Sequence, residues 1–342
     1  MKHFLDLHDL DPGELRELLA LARRLERSPE PLALAGKILG LLFFNPSLRT
    51  LSSMQAAMLR LGGASFVIAP GQGTWQLESR LGVVMDGAAA EHVREAIPVL
   101  SGFCDALGIR AFADGKDLTA DLADSSFRSL VDLATKPVVN LESALVHPCQ
   151  GLGDWKTLDD LEIPTTGKLV LAWANHPKAL PLAIPTTVVQ MAAARGMEVM
   201  VLRPDAYALP DPVMKRARGA AAESGGSVEE TDDRRQAMAG AHVLYAKSWA
   251  SAQHYGDAAR EAELRSQLTD WTVAESWFDG ARSDARFLHC LPVRRNVVVS
   301  DEVLDGERSA VIPQAHNRLW AQMAVLHRLL ASPSPQREGD RP

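Results

Sequence analysis

KILGLLFF (Lys37–Phe44) runs directly into NPSLRT (Asn45–Thr50) and then into LSSMQAAMLRLG (Leu51–Gly62). The first run is apolar without alternation and short, as a strand buried on both faces must be. The last places apolar residues at three- and four-residue spacing, the mark of a helix lying on a core. A buried strand leading through a short turn into a helix is half of a β–α–β unit. The expected class is therefore α/β, with parallel sheets.

Working outward, the same alternation recurs. Gly63–Ile68 (GASFVI), Ala106–Phe112 (ALGIRAF) and Pro137–Leu141 (PVVNL) are the other expected strands of the first half, with AEHVREAIPVLSGFC (Ala90–Cys104) as an intervening helix. A second series starts at Gly167–Ala174 (GKLVLAWA) and continues through Met197–Arg203, His242–Lys247, Phe287–Leu291 and Ala310–Ile312. The polar stretch Gly151–Thr166 is the expected crossover. The division is thus residues 1–150, residues 151–316, a last helix over Asn317–Leu330 returning to the first domain, and a disordered Ser/Pro/charged tail over 331–342. Two open parallel-sheet domains place a ligand cleft between them, at the carboxyl ends of their strands.

The chain has 342 residues and a formal net charge of −7, with mean hydropathy −0.06 and pI near 5.8. Such an acidic balance excludes nucleic acid as the main partner, and an anionic ligand must meet a local positive cluster. No apolar run reaches the ~20 residues of a membrane span, and MKHFLDLHDL lacks the apolar core of a secretory signal. Cys104, Cys149 and Cys290 lie far apart and are odd in number, so neither a disulfide framework nor a zinc knuckle is expected. A reducing cytoplasmic setting, without metal or cofactor, is the expectation.

Several motifs fall at strand ends. Ser47 can cap a helix whose free N–H groups then face outward, with Arg49 and Thr50 adding donors suited to phosphate oxygens. Alone, that octamer is better read as a plain cap with a solvated arginine. Glu142 is followed by His147-Pro148-Cys149-Gln150; a histidine can donate to a carbonyl and a glutamine can bind an amide, although for an isolated His-Pro an ordinary helix-entry turn is the better reading. HCLPVRRN (His289–Asn296) sets Arg294 and Arg295 beyond a strand, as anion recognition or as a solvated charge pair. Cys290 is a small wall residue. Lys247 and His176 end two more strands. No Walker loop and no G-x-G-x-x-G fingerprint is present.

Read in order, SLRT, RAF, HPCQ, HCLPVRRN and the late Asn317-Arg318 resemble the aspartate/ornithine carbamoyltransferase superfamily over about residues 30–330. FFNPSLRT, GTWQLE, VMDG, YAKSWA and WANHPKALPLAIP resemble its N-acylornithine branch. The resemblance implies carbamoyl phosphate held in the first domain by Ser47, Leu48, Arg49, Thr50, Arg110, His147, Pro148, Cys149 and Gln150, with Arg318 and the Cys290-Leu291 segment closing the pocket. It implies Trp75 arriving from a neighbouring subunit of a homotrimer. The acylated ornithine would lie across Glu142, His176, Lys247 and Arg294. Acetyl-specific members carry glutamate where this chain has Ala90, and lysine where it has Val298. Succinyl-specific members place uncharged residues there, and an uncharged position spares the second carboxylate of a succinyl group.

The resemblance therefore implies carbamoyl transfer to the side-chain amine of N-succinyl-L-ornithine, with Arg110, His147 and Thr50 as catalytic donors to the carbonyl oxygen. N-acetylornithine is the nearest rival acceptor. Leu51, which stands where the superfamily usually has a second arginine, keeps open a catalytically silent binding paralogue.

Overall fold

The computed structural model describes residues 1–331; all but the first residue of the tail read above as disordered lies outside them. Among these residues eleven strands form, and the apolar runs at 37–44 and 167–174 become the inner strands of two parallel sheets. In the first, β1 (Ile38–Phe43) lies between β2 (Ala64–Ile68) and β5 (Ala106–Arg110), with β6 (Val138–Glu142) beyond β5; β3 (Gln76–Glu78) and β4 (Ala89–His92) pair separately. In the second, β7 (Lys168–Trp173) is central, with β8 (Glu198–Leu202) and β9 (Ser227–Thr231) to one side and β10 (Val243–Lys247) and β11 (Arg286–Leu288) to the other. Every residue of β5, β6 and β7 is buried. Burial on both faces is why these strands read as unbroken apolar runs. Each fully buried leucine of the strands, such as Leu39 and Leu41 of β1, contributes roughly 1.5–3 kcal/mol of transfer free energy.

The strands stay parallel, but the order in which the chain adds them reverses across β1/β5 in one sheet and across β7/β10 in the other, which makes two switch points. Ligands gather beyond strand carboxyl ends at such points. Register then sets neighbours: Arg110 lies opposite Phe43 on one side and Glu142 on the other. Lys247 lies opposite Trp173.

Several elements differ from the sequence expectation. Gly151–Thr166 is not an irregular crossover, because Pro148–Asp160 is a helix buried through most of its length. It carries the chain out of the first sheet, and residue 150 falls inside it. Ala310–Ile312 is not a strand: Ala310 caps a helix running Val311–Leu330, with only a single bridge from Ser309 to Phe287. The last helix thus begins six residues earlier than Asn317. Ala89–His92 forms β4, and its helix starts at Val93. β9 was missed because SVEET is an edge strand with Val228 as its one apolar residue, so it carries no apolar run.

The Val311–Leu330 helix packs on the Pro12–Arg27, Leu48–Arg60 and Pro148–Asp160 helices. Its approach to the last is close. A Cβ at Gly153 would stand 3.3 Å from both the backbone N and Cα of Arg318. Glycine there lets Arg318 enter. No helix among the described residues is long and apolar enough to cross a membrane.

Candidate active site

A cavity of about 460 Å³ opens where the strand ends of the two sheets face one another. Ser47, Leu48, Arg49, Thr50, Arg110, Glu142, His147, Gln150, His176, Lys247, Cys290, Leu291 and Arg318 all line it. The cavity thus gathers residues spread over 272 positions of sequence, from Ser47 to Arg318. Two other cavities, of about 460 and 910 Å³, lie beside the Asp6–Arg16 segment and beside the Ile312–Trp320 stretch. The first shares no lining residue with the site and the second only Arg49 and Leu291, so chemistry rather than size distinguishes the site.

Local structure explains each placement. Ser47 caps the Leu48–Arg60 helix, its Oγ accepting from Thr50 N–H at 3.2 Å, so the free N–H groups of the first turn and the positive end of the dipole face the cavity. Arg318 Nη2 donates to Thr50 Oγ1 at 2.6 Å. With that oxygen already accepting, the Thr50 hydroxyl proton remains available to a ligand. Arg110 pairs with Glu142 through Nη1 and stacks its guanidinium 4.4 Å from the Phe112 ring centroid. His147 Nε2 stands 3.7 Å from Glu142, and its backbone N–H donates to Thr187 at 2.8 Å.

Pro148 and Cys149 do not line this cavity. Positions three apart share a helix face whereas adjacent ones do not, so His147 and Gln150 point in together. Pro148 faces a different cavity, and Cys149 is buried with Sγ 3.7 Å from the carbonyl of Asn140. Burial pushes the Cys149 thiol up to about 12 and raises Cys290 as well, so neither is a nucleophile. Trp75, Ala90 and Arg294 are also outside the cavity of their own chain. Trp75 is 59% exposed, its Nε1 donating to Glu91 at 2.8 Å. Ala90 and Arg294 are exposed. Arg295 is held by Asp301 and Asp305 at 2.7 Å each, so the expected arginine pair does not act together.

Ten buried side-chain polar atoms lack a hydrogen-bond partner among the described residues, and five of them belong to this cavity: Nε of Arg49, Arg110 and Arg318, Nδ1 of His147 and Oε1 of Gln150. Buried polar groups are almost always paired, so a cluster of exceptions calls for a partner from outside. Guanidinium N–H groups only donate, and Gln150 Oε1 only accepts. The complementary ligand is rich in acceptor oxygens and carries a donor. Burial, then the charges of Arg318, Arg110 and Arg49, hold His147 well below the usual histidine range, so it is a neutral imidazole. Burial likewise lowers Arg49 and Arg318, but guanidiniums stay charged. An acidic chain has built a local cationic well.

Two residues of the site hold unusual backbone: Glu142 at φ 144° and Leu291 at φ 51°. Non-glycine residues in this region cost of order 1–3 kcal/mol, and such strain collects at ligand clamps.

Sequence reading missed the supports. Arg265, almost wholly buried, donates to the carbonyls of His176 (3.1 Å) and Trp249 (2.7 Å) and to Ser248 (2.8 Å), fixing the loop that carries His176. Nothing in the sequence marks it. Asp154, Gln314 and Tyr245 form a buried cluster behind Gln150. The four-residue step from Gln150 to Asp154, one helical turn, was a signal for the first of these. Among the described residues no three His, Cys, Asp or Glu side chains converge as a metal site needs.

Two family models match the chain in turn. The family model described as the aspartate/ornithine carbamoyltransferase carbamoyl-P binding domain matches residues 2–160, and the one described as the Asp/Orn binding domain matches 184–329. The N-acetylornithine carbamoyltransferase of Xanthomonas campestris pv. campestris is 37% identical over 98% of this chain and 99% of its own. The N-succinylornithine carbamoyltransferase of Bacteroides thetaiotaomicron is 34% identical over 96% of this chain and 99% of its own. A crystal structure of acetylornithine transcarbamylase complexed with acetylcitrulline superposes with TM-score 0.92 at 37% identity, over 97% of this chain and all of that one. A version of the N-acetyl-L-ornithine enzyme with one glutamate replaced by alanine, complexed with carbamyl phosphate and N-succinyl-L-norvaline, matches with TM-score 0.92 at 38% identity, over 96% of this chain and all of that one.

Proposed function

The chain belongs to the aspartate/ornithine carbamoyltransferase family and to its N-acylornithine branch, and we propose that it transfers the carbamoyl group of carbamoyl phosphate to the side-chain amine of N-succinyl-L-ornithine, giving N-succinyl-L-citrulline and phosphate. The observation that carries the donor half is the set of five unpaired buried atoms. Phosphate and carbonyl oxygens match the guanidinium and imidazole groups, and the carbamoyl NH₂ matches Gln150 Oε1.

In this reading Ser47, Leu48, Arg49, Thr50 and Arg318 hold the phosphate, with Cys290 and Leu291 as the opposite wall. The neutral amine attacks the carbonyl carbon, and charge grows on the carbonyl oxygen. Arg110, His147 and the free Thr50 hydroxyl stabilise it; losing one such donor typically costs ~10²–10³-fold in rate. His147 serves as a neutral donor. The departing phosphate takes the amine proton, so no protein base and no cofactor is required. Positioning the two reactants supplies roughly 7–11 kcal/mol more. Glu142, His176 and Lys247 line the acceptor side of the cavity, and Arg294, outside it but near enough for its charge to act on the His176 ring, would meet the acceptor's carboxylate. Burial foremost, then the charges of Lys247, Arg294 and Arg265, lowers His176, so it too binds as a neutral ring.

Pairing of Gln76 with Ala89 places Trp75 and Ala90 at the same end of one arm, and both are exposed in their own chain. A homotrimer in which this arm enters a neighbour's cavity gives both residues a role, with Trp75 beside the phosphate and Ala90 beside the acyl end. Two further points favour succinyl. Val298, where acetyl-specific members carry lysine, is buried in the core of the second sheet. The relative with one glutamate replaced by alanine holds N-succinyl-L-norvaline, and alanine is the residue at position 90 here. The setting is cytoplasmic arginine biosynthesis. Citrulline-product formation from carbamoyl phosphate with ornithine, N-acetylornithine and N-succinylornithine side by side tests the assignment. The highest kcat/KM is expected with N-succinylornithine; a preference for N-acetylornithine overturns the acyl choice, and no turnover overturns catalysis.

A further inference from the structure

The Pro148–Asp160 helix carries Asp154 one turn beyond Gln150, and its side chain is completely buried. Asp154 Oδ1 accepts from Gln150 Nε2 at 2.8 Å and from Gln314 Nε2 at 2.7 Å; Oδ2 accepts from the Tyr245 hydroxyl at 3.1 Å. These partners come from one helix of the first domain, the last helix of the chain, and the second sheet. The chain of bonds continues on the far side. Gln314 Oε1 accepts from the backbone N–H of His289 at 3.0 Å, and His289 Nδ1 accepts from the backbone N–H of Leu291 at 2.9 Å.

A side-chain amide has two chemically different ends that it can exchange by a half-turn, so its environment must choose between them. Here one acceptor makes the choice twice. Because Asp154 Oδ1 takes an N–H from each glutamine, Gln150 is left with Oε1 unpaired and facing the cavity. Gln314 is left with its oxygen on His289, whose ring then fixes Leu291 at φ 51°. We propose that Asp154 is a positioning residue: it sets the polarity of a hydrogen-bond chain that presents Gln150 Oε1 to a donor NH₂ on one wall and holds the Leu291 backbone on the other. This rests on the reading of the cavity as a carbamoyl-phosphate site and adds how the site tells a carbamoyl NH₂ from an oxygen. With the amide turned, Gln150 would offer NH₂ to the substrate's NH₂, donor against donor, while the phosphate loop at 47–50 would be untouched.

Calorimetric titration of the full-length chain with carbamoyl phosphate and separately with inorganic phosphate separates the possibilities. Asp154→Leu removes the shared acceptor at similar volume. Carbamoyl-phosphate affinity should fall about tenfold or more, the usual consequence of a mispaired buried polar contact, while inorganic phosphate affinity stays within about twofold. Equal weakening of both ligands makes Asp154 a structural residue and overturns the proposal; so does no change in either. Asp154→Asn keeps an oxygen for both glutamines and turns its NH₂ to the Tyr245 oxygen, so carbamoyl phosphate should still bind within about threefold of wild type. A folded Asp154→Asn protein with a tenfold loss overturns the polarity argument even where Asp154→Leu does not fold. Failure of wild type to bind carbamoyl phosphate sinks the parent reading instead.

Discussion

On the first-sheet side of the cavity, Arg110 is locked between Glu142 and the Phe112 ring, and Arg318 is tied to Thr50 under a helix seated on Gly153. The arm carrying Trp75 and Ala90 is built in the opposite way: a three-residue strand paired with a four-residue one, and exposed Trp75, Leu81, Val84 and Met85. One region pre-aims buried donors and needs nothing more from its own chain. The other offers apolar side chains to water and gains by being covered. On the proposed reading the difference separates chemistry from selectivity. Rate enhancement requires donors fixed before the charge develops; choice among acyl groups requires only contacts that can differ between relatives.

The comparison breaks most readily at Arg110. Arg110→Ala removes a donor and leaves the Glu142 carboxylate buried without its partner. A rate loss of ~10²–10³-fold is expected together with ~3–5 kcal/mol of stability, read by steady-state kinetics and urea unfolding. Normal stability would mean that Glu142 finds water and that this side is not pre-organised. On the exposed side the expectation inverts. Trp75→Ala should unfold like wild type yet be nearly inactive, and mixing it with Arg318→Ala subunits should restore part of the activity. Mixed assemblies that form and stay silent would remove the arm from the neighbour's site.

Arg49→Ala lies between these cases, because that side chain is partly exposed at the helix start. Loss of one charge-assisted contact, ~1.5–3 kcal/mol, should raise the carbamoyl-phosphate KM roughly 10–100-fold with the fold intact. Ala90→Glu sharpens the selectivity half. Two carboxylates ~4 Å apart repel by of order 4 kcal/mol at an effective dielectric near 20, and a quarter of that shifts preference about fivefold from succinyl toward acetyl. Equal losses on both substrates would assign Ala90 to packing alone.

The smallest effect concerns acid. Burial lowers His147 and His289 in the folded chain, so below their ordinary range near 6.5 the unfolded chain binds protons that the folded chain refuses, and stability falls as pH drops through that point. Asp154, raised to about 6, works in the opposite sense between about 4 and 6. His147→Gln should make the loss of stability below pH 6.5 shallower, as followed by thermal melts across pH.

Strand-end residues were legible from sequence because buried parallel strands announce themselves as apolar runs, and the residue after each run is then fixed to within one or two positions. That is why Glu142, His147 and Lys247 could be named from strand ends, whereas Arg110 was named only through the family resemblance. Reading HPCQ as one unit failed because a helix sends neighbours in different directions: His147 and Gln150 face in, Pro148 and Cys149 do not. Asp154, Gln314 and Tyr245 come from three distant segments that only tertiary packing assembles. Arg265 has no strand end and no motif beside it. The boundary between domains was blurred because Pro148–Asp160 buries most of its faces and so shows little helical periodicity.

Arg318 stands in the last helix yet completes a cavity whose other guanidiniums come from residues 49 and 110. During synthesis the strands of the first sheet are all made once residue 142 has been added. The anion well then lacks one of its three arginines, and Thr50 lacks its partner, until nearly the whole polypeptide has been translated. A chain cut short anywhere before residue 318 is thus born without a complete donor site, and a complete C-terminal helix becomes the condition for the earliest-made part of the protein to work.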